Sequence, residues 1–184
     1  MARPERRSNQ ERREQSTEQV LAAALEQFVT RGYHSTSIDD IARAAGLTTG
    51  AVYFYFTGKS ALLLELLSQS SVLYTTIFRE MQDSGEGAAQ QLEMFVEWAA
   101  RVGTQNSELL LLPLLMSLEF NDRDAEVEQA LDRLYDRYHD EMERVVVLGQ
   151  ETGEFNDSLS PREEAAVLVA FTDGMLLEWI RRSK

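Results

Sequence analysis

The sequence has no cysteine and only three prolines among its 184 residues. Without cysteine the chain forms no disulfide and offers no thiolate to a metal ion. No apolar run approaches the roughly 20 residues of a membrane span; the longest, Leu109–Met116, contains Pro113. No early apolar stretch resembles a signal peptide. We therefore expect a cytoplasmic protein with no metal, no cofactor and no membrane contact.

Positive charge is also scarce, because 18 Lys and Arg oppose 31 Asp and Glu, for a net charge of −13. This balance argues against a nucleic-acid partner, but the charge is unevenly distributed. Residues 1–60 hold eight basic and seven acidic side chains, and the remaining 124 hold ten and twenty-four. The asymmetry predicts two domains with different functions, 1–60 and 61–184.

Alternating strand patterns are nearly missing, whereas apolar residues recur at i, i+3 and i+4 throughout, which predicts an all-α fold. Glycine, proline and polar clusters mark the expected breaks. The predicted helices span about 8–30 (or 12–30), 37–45, 49–55, from 59 onward, 87–104, 106–120, 123–151 and 161–182. Pro113 should kink or split the helix at 106–120, since proline lacks an N–H and clashes with the preceding turn.

A short pattern near residue 40 carries the first functional signal. Ser37 with Asp40 has the spacing of a capping box, Gly46 suits a tight turn, and Thr48 caps a following helix at Thr49–Tyr55. Helix, glycine turn and helix at this spacing predict a helix-turn-helix, whose second helix enters the DNA major groove.

Further segments extend this pattern. They are A-A-x-x-x-F at Ala23–Phe28, G-Y-x-x-T-S at Gly32–Ser37, D-I-A at Asp40–Ala42, A-G-L-T-T-G at Ala45–Gly50, Y-F-Y-F at Tyr53–Phe56 and K-x-x-L-L at Lys59–Leu63. With them, the stretch from Ala22 to Leu63 resembles the DNA-binding domain of the TetR family of bacterial regulators, over about a quarter of the chain. The resemblance implies a repressor with an N-terminal three-helix DNA-binding domain and a helical ligand-binding and dimerisation bundle.

The resemblance also implies which side chains contact the double-stranded DNA operator. They are the groove-facing Thr48, Thr49, Gly50 and Ala51, the aromatic Tyr53, Phe54 and Tyr55, and Ser37 and Lys59 at phosphates. Val52 and Phe56 should point into the core. Tyr53 could instead be partly core, Lys59 merely solvated and Ser37 only a cap.

The sequence departs from the family at two positions, 39 and 49, where Arg or Lys is frequent and this chain has Asp39 and Thr49. The commonest guanine contact is thereby lost. Specificity should then depend on the Thr49 methyl and the aromatic rings, or on DNA shape. A basic arm ahead of the first helix either reaches DNA or is a disordered tail; its residues are Arg3, Arg6, Arg7, Arg12 and Arg13.

The acidic region is expected, by resemblance, to bind a small and apolar effector. Candidate pocket residues are Phe95, Trp98, Leu112, Met116, Phe120, Tyr135, Tyr138, His139, Met142, Phe171 and Met175. The last helix is apolar on nearly every side, which predicts a homodimer interface, with a monomer as the alternative. The interface candidates are the small-residue stripe Ala166, Ala170 and Gly174, with Leu177.

An enzyme is a poor match, because His34 and His139 lie in separate regions and no nucleophile is paired with a base. Asp39 and Asp40 are adjacent on a helix start and are expected to be caps rather than a catalytic pair. Gly50 and its neighbours form no phosphate loop. The other alternative is a helical ligand-binding or protein-interaction module whose DNA reading is weak or lost.

Overall fold

The computed structural model describes residues 9–120 and 124–182. Within these ranges the chain is all-α, as predicted, and forms eight helices. They are α1 Asn9–Arg31, α2 Ile38–Ala44, α3 Thr49–Tyr55, α4 Lys59–Asp83, α5 Ala88–Gln105, α6 Ser107–Glu119, α7 Ala125–Thr152 and α8 Pro161–Arg182. Arg3, Arg6 and Arg7, the predicted cap Ser8 and the predicted break at 121–122 lie outside the described residues.

The chain divides into two compact units, Met1–Leu66 and Leu67–Lys184. The predicted boundary at residue 60 lies a few residues earlier. Helix α4 begins in the first unit and continues into the second, so no loop marks the division.

The first unit is built on the apolar faces of α1 to α4. Val20, Ala24 and Phe28 recur on one side of α1 and are fully buried, as helical periodicity requires. Gly46 has φ +68° in the turn between α2 and α3, a conformation that glycine adopts without steric cost. The other fully or nearly fully buried apolar residues of this unit are Ile41, Ala42, Val52, Leu62, Leu63 and Leu66.

Helix α6 passes through Pro113 without ending, so of the two predicted outcomes, a kink or a split, the split does not occur. Proline cannot donate to the carbonyl four residues earlier, which belongs to Leu109. The Ser70 hydroxyl of α4 donates to that carbonyl at 2.8 Å, and Ser70 is fully buried. A side chain from a neighbouring helix therefore replaces the hydrogen bond that the proline removes.

Helix α4 is the one helix of the described chain long and apolar enough, by length and composition, to cross a membrane. A core helix of a soluble protein passes the same test, and α4 is one. Leu67, Ile77, Phe78 and Met81 are at most 2% exposed within the second unit.

Candidate functional site

The capping box predicted at the start of α2 is confirmed. The Asp40 N–H donates to Ser37 Oγ at 3.1 Å, and the Ser37 N–H donates to Asp40 Oδ2 at 3.2 Å. The Ser37 hydroxyl also donates to Asp40 Oδ2. This bond and the one from the Ser37 N–H lower the pKa of the Asp40 carboxyl, and Arg43 at 3.1 Å adds to the effect. Ser37 and Asp40 thus fix the entry to the helix-turn-helix.

The neighbouring carboxylate has a different role. The Thr49 hydroxyl, at the start of α3, donates to Asp39 Oδ1 at 2.6 Å. The expectation that both aspartates are caps is therefore wrong for Asp39, whose side chain joins α2 to α3. The bond links the two positions at which the sequence departs from the family.

Helix α3 presents an aromatic outer face. Val52 is buried, as predicted, whereas Tyr53 is 55% and Phe54 70% exposed. Tyr55 is half-buried and meets the Phe54 ring edge-on at 5.1 Å. Phe56, expected in the core, is half-buried. Of the other predicted groove residues, Thr48 caps α3 by accepting from the Ala51 N–H at 3.2 Å, and Gly50 is exposed.

A cation accompanies this face. The Arg13 guanidinium lies 5.8 Å from the centre of the Phe54 ring, within range of a cation–π interaction. Arg12 and Arg13 belong to α1, so their prediction as part of an arm ahead of the first helix is wrong. Their helical backbone holds Arg13 beside α3.

Lys59, predicted at a DNA phosphate, is engaged inside its own domain. Its Nζ donates to the Tyr33 and Thr36 carbonyls at 2.6 and 2.8 Å and lies 4.1 Å from the centre of the Tyr33 ring. Lys59 therefore ties the start of α4 to the α1–α2 turn. A phosphate contact by this side chain remains a prediction.

Part of the predicted pocket is assembled in the second unit. Phe95 stacks on Phe78 at 6.0 Å, and Tyr138 meets the rings of Phe95 and Tyr74 at 5.6 and 5.3 Å. Trp98 and Met142 belong to the same buried cluster. Tyr74 and Phe78 were missed by sequence reasoning, although their i, i+4 spacing on α4 could have indicated them.

The Tyr138 hydroxyl is a buried polar atom within this cluster. Tyr138 is 1% exposed, and its Oη has no hydrogen-bond partner among the described residues. The Thr172 hydroxyl affects the pKa of Tyr138 but does not meet hydrogen-bond geometry with it, and it donates its own hydrogen to the Leu168 carbonyl at 2.9 Å. Burial raises the pKa of Tyr138 far above its ordinary value, so the side chain stays a neutral phenol.

Asp173 lies close to these tyrosines and was also missed by sequence reasoning. Burial raises its pKa to about 6, and a hydrogen bond with Tyr135 opposes the rise. Tyr135, a predicted pocket residue, packs half-buried against the aromatic cluster. The cluster therefore has a carboxyl group at its border.

The remaining pocket candidates are dispersed. Leu112, Met116 and Phe120 are buried on α6 or at its end, and His139 is half-buried. Phe171 is 64% exposed, because α8 turns other residues inward. Two surface grooves, of about 630 and 200 Å³, open elsewhere in this unit, and of the candidates Met175 alone is among their lining residues. The aromatic side chains fill the core, so the open space lies at its edges.

The predicted stripe on α8 is at the surface. Ala166, Ala170 and Gly174 are exposed, whereas Leu177 packs partly against the core of its own bundle. Among the residues that the structure describes, no group of three His, Asp or Glu side chains is arranged to hold a metal ion.

Comparisons with known proteins agree with this geometry. The family model described as bacterial regulatory proteins of the tetR family matches residues 20–66. The HTH-type transcriptional regulator AcrR of Shigella flexneri is 28% identical over 183 residues, 98% of this chain and 83% of that protein.

Two solved structures extend the likeness across both units. The MbdR regulator from Azoarcus sp. CIB is 36% identical, with TM-score 0.84 over 91% of this chain and 88% of the other. FadR from Bacillus subtilis, solved with stearoyl-CoA, is 20% identical with TM-score 0.73 over 90% and 88%, which shows a shared fold. The family match and the similarity to AcrR confirm that the protein is a regulator and not an enzyme. The chain belongs to the TetR family of DNA-binding transcriptional regulators.

Proposed function

We propose that this protein is a cytoplasmic repressor that binds a near-palindromic operator as a homodimer and leaves it when a small apolar effector binds residues 67–184. The observation that carries the proposal is the outer face of α3, where Tyr53 and Phe54 are largely exposed beside Arg13. Exposed aromatic rings next to a cation suit sugar and base edges beside a phosphate.

The proposed operator contacts come from the first unit. Phe54 and Tyr53 meet sugars and thymine methyl groups, and Arg13 meets a phosphate. Five further residues complete the groove-facing set, with Ser37 at its margin; they are Thr48, Thr49, Gly50, Ala51 and Tyr55. Lys59 supports this surface by donating to the Tyr33 and Thr36 carbonyls. Its contact with a DNA phosphate is part of the same proposal.

The proposed dimer uses the outer side of α8. Val167 and Phe171 are 68% and 64% exposed and lie next to the exposed small residues Ala166 and Ala170, which allow close approach of a second helix. A two-fold dimer would place two copies of α3 about one DNA turn, ~34 Å, apart. Phe171→Asp should therefore yield monomers in sedimentation experiments, whereas Leu118→Asp, at an equally exposed position on α6, should not.

The proposed effector site is the aromatic cluster around Tyr138, whose side chains fill the core and would move apart to admit a ligand. A buried hydroxyl without a partner costs stability and becomes satisfied when a ligand with an acceptor group enters. The stearoyl-CoA bound by the similar FadR structure is a precedent in this fold for a ligand with a long apolar chain. Apolar walls with one polar group are typical of small-molecule sites.

A gel-shift assay with DNA from upstream of the protein's own gene tests the DNA contacts. Tyr53→Ala and Phe54→Ala should each weaken the shift strongly without loss of stability, because both rings are largely exposed. Leu118→Ala is the matched control, since Leu118 is 67% exposed against 70% for Phe54. Undiminished binding by the α3 variants would contradict the proposal, and no binding to any DNA would favour a protein-interaction module.

A further inference from the structure

The adjacent carboxylates of Asp39 and Asp40 at the start of α2 differ in their hydrogen bonds, and the difference bears on which of them can contact DNA. Asp40 is engaged on both oxygens, by Ser37 on Oδ2 and by Arg43 on Oδ1. Asp39 is exposed and accepts from Thr49 through Oδ1. Because a carboxylate has lone pairs on both oxygens, Asp39 retains capacity to accept another hydrogen bond.

The position of this carboxylate follows from the geometry of α3. Thr49 and Tyr53 are four residues apart and therefore share one side of the helix. Tyr53 is exposed there, while Arg13 covers Phe54. Asp39 thus places a negative charge beside the side of α3 that carries Tyr53, and Arg13 places a positive charge beside Phe54.

A carboxylate in a protein–DNA interface is repelled by the phosphates and is favoured only where the DNA offers hydrogen-bond donors. In the major groove those donors are the amino groups of cytosine (N4) and adenine (N6). The adenine amino group lies beside the N7 acceptor, which repels a carboxylate, whereas the cytosine amino group lies beside a C–H edge. The chemistry therefore favours cytosine.

We propose that Asp39 is a base-reading residue that accepts a hydrogen bond from the N4 amino group of a cytosine in the operator. Thr49 is its positioning residue, because the hydroxyl fixes the rotamer of the carboxylate. The chain thereby replaces a guanine-reading cation with a cytosine-reading anion at position 39.

Selection of bound sequences from randomised duplexes is the first test. Wild-type protein should select a cytosine at a fixed position, and Asp39→Ala, which removes the acceptor, should lose that preference by about tenfold, the effect expected for one good base contact. Asp39→Ala should also bind unrelated DNA more tightly, because a negative charge near phosphates is removed. Asp40→Ala is the matched control; it should lower the melting temperature and leave base preference unchanged.

The second test removes the donor from the DNA. A selected duplex carrying 2-pyrimidinone in place of the cytosine lacks only the N4 amino group. Wild-type protein should bind it about tenfold more weakly than the cytosine duplex, as expected for one base contact, and Asp39→Ala should bind the two equally. Thr49→Val, which keeps the side-chain shape without the hydroxyl, should reduce the wild-type discrimination.

Three results would overturn the proposal: no cytosine preference in the wild type, the same preference in Asp39→Ala, or equal sensitivity of wild type and Asp39→Ala to 2-pyrimidinone. A purely structural latch between α2 and α3 predicts the last of these, since it would weaken binding to all sequences alike.

Discussion

The hydrogen bond from Ser70 of α4 to the Leu109 carbonyl of α6 should contribute measurably to the stability of the fold. Pro113 deprives this carbonyl of its helical donor, and Ser70 supplies another at 2.8 Å from a fully buried position. Ser70→Ala removes the donor and adds no bulk. A partly buried carbonyl then lacks its partner, so the free energy of unfolding should fall by about 1–3 kcal/mol.

This loss is measurable by urea or thermal unfolding followed by circular dichroism. For a unit of this size it corresponds to a decrease in melting temperature of roughly 3–12 °C. The control is Thr76→Ala on the same helix, whose exposed hydroxyl donates to the Val72 carbonyl at 2.8 Å. That change should cost less than about 0.5 kcal/mol, since it lies at the surface.

Measuring Ser70→Ala in a Pro113→Ala variant distinguishes the contribution of this hydrogen bond from that of packing. Pro113→Ala restores an N–H that can donate to the Leu109 carbonyl, so Ser70→Ala should cost less in that background than in the wild type. The difference between the two costs is the coupling between the serine and the proline. Equal costs in both backgrounds, or a Ser70→Ala effect no larger than that of Thr76→Ala, would refute the reasoning.

Two further predictions concern the aromatic cluster. Tyr138→Phe should raise the free energy of unfolding by about 1 kcal/mol, because it removes a buried hydroxyl without a partner, whereas Tyr135→Phe should lower it; chemical denaturation compares them, and a less stable Tyr138→Phe would contradict the first. Asp173 keeps its proton in the folded state up to about pH 6, against 3.8 for the ordinary carboxyl. The unfolded chain therefore binds fewer protons between these values, so this residue makes stability fall as pH rises from about 4 to 6. Asp173→Asn should flatten that slope in unfolding curves, and an unchanged slope would contradict the assignment.

Features that depend on neighbouring residues were predictable from the sequence. The bounds of α3 agree with prediction residue for residue, because the Thr48 cap and the Gly46 turn are local signals. The exposure of Phe54 follows similarly from its spacing to Val52 on a seven-residue helix.

Features that depend on the packing of separate helices were not predictable. The partner of Asp39 is ten residues away and that of the Leu109 carbonyl is 39 residues away, so neither follows from local patterns. The exposure of Phe171 was missed for the same reason, because a helix that is apolar all round does not reveal which side faces its own bundle. The position of Lys59 in the sequence predicts a DNA contact, whereas folding brings the Tyr33 and Thr36 carbonyls within hydrogen-bond distance of its Nζ.

The salt dependence of operator affinity, measured by fluorescence anisotropy, tests the central claim that Arg13 and Phe54 form the DNA-binding surface. For wild-type protein, log Kd should rise linearly with log salt concentration. Arg13→Ala should reduce the slope by about one, as the loss of one phosphate contact requires, and Phe54→Ala should weaken binding with the slope unchanged. An unchanged slope in Arg13→Ala, together with wild-type affinity in Phe54→Ala, would contradict the account.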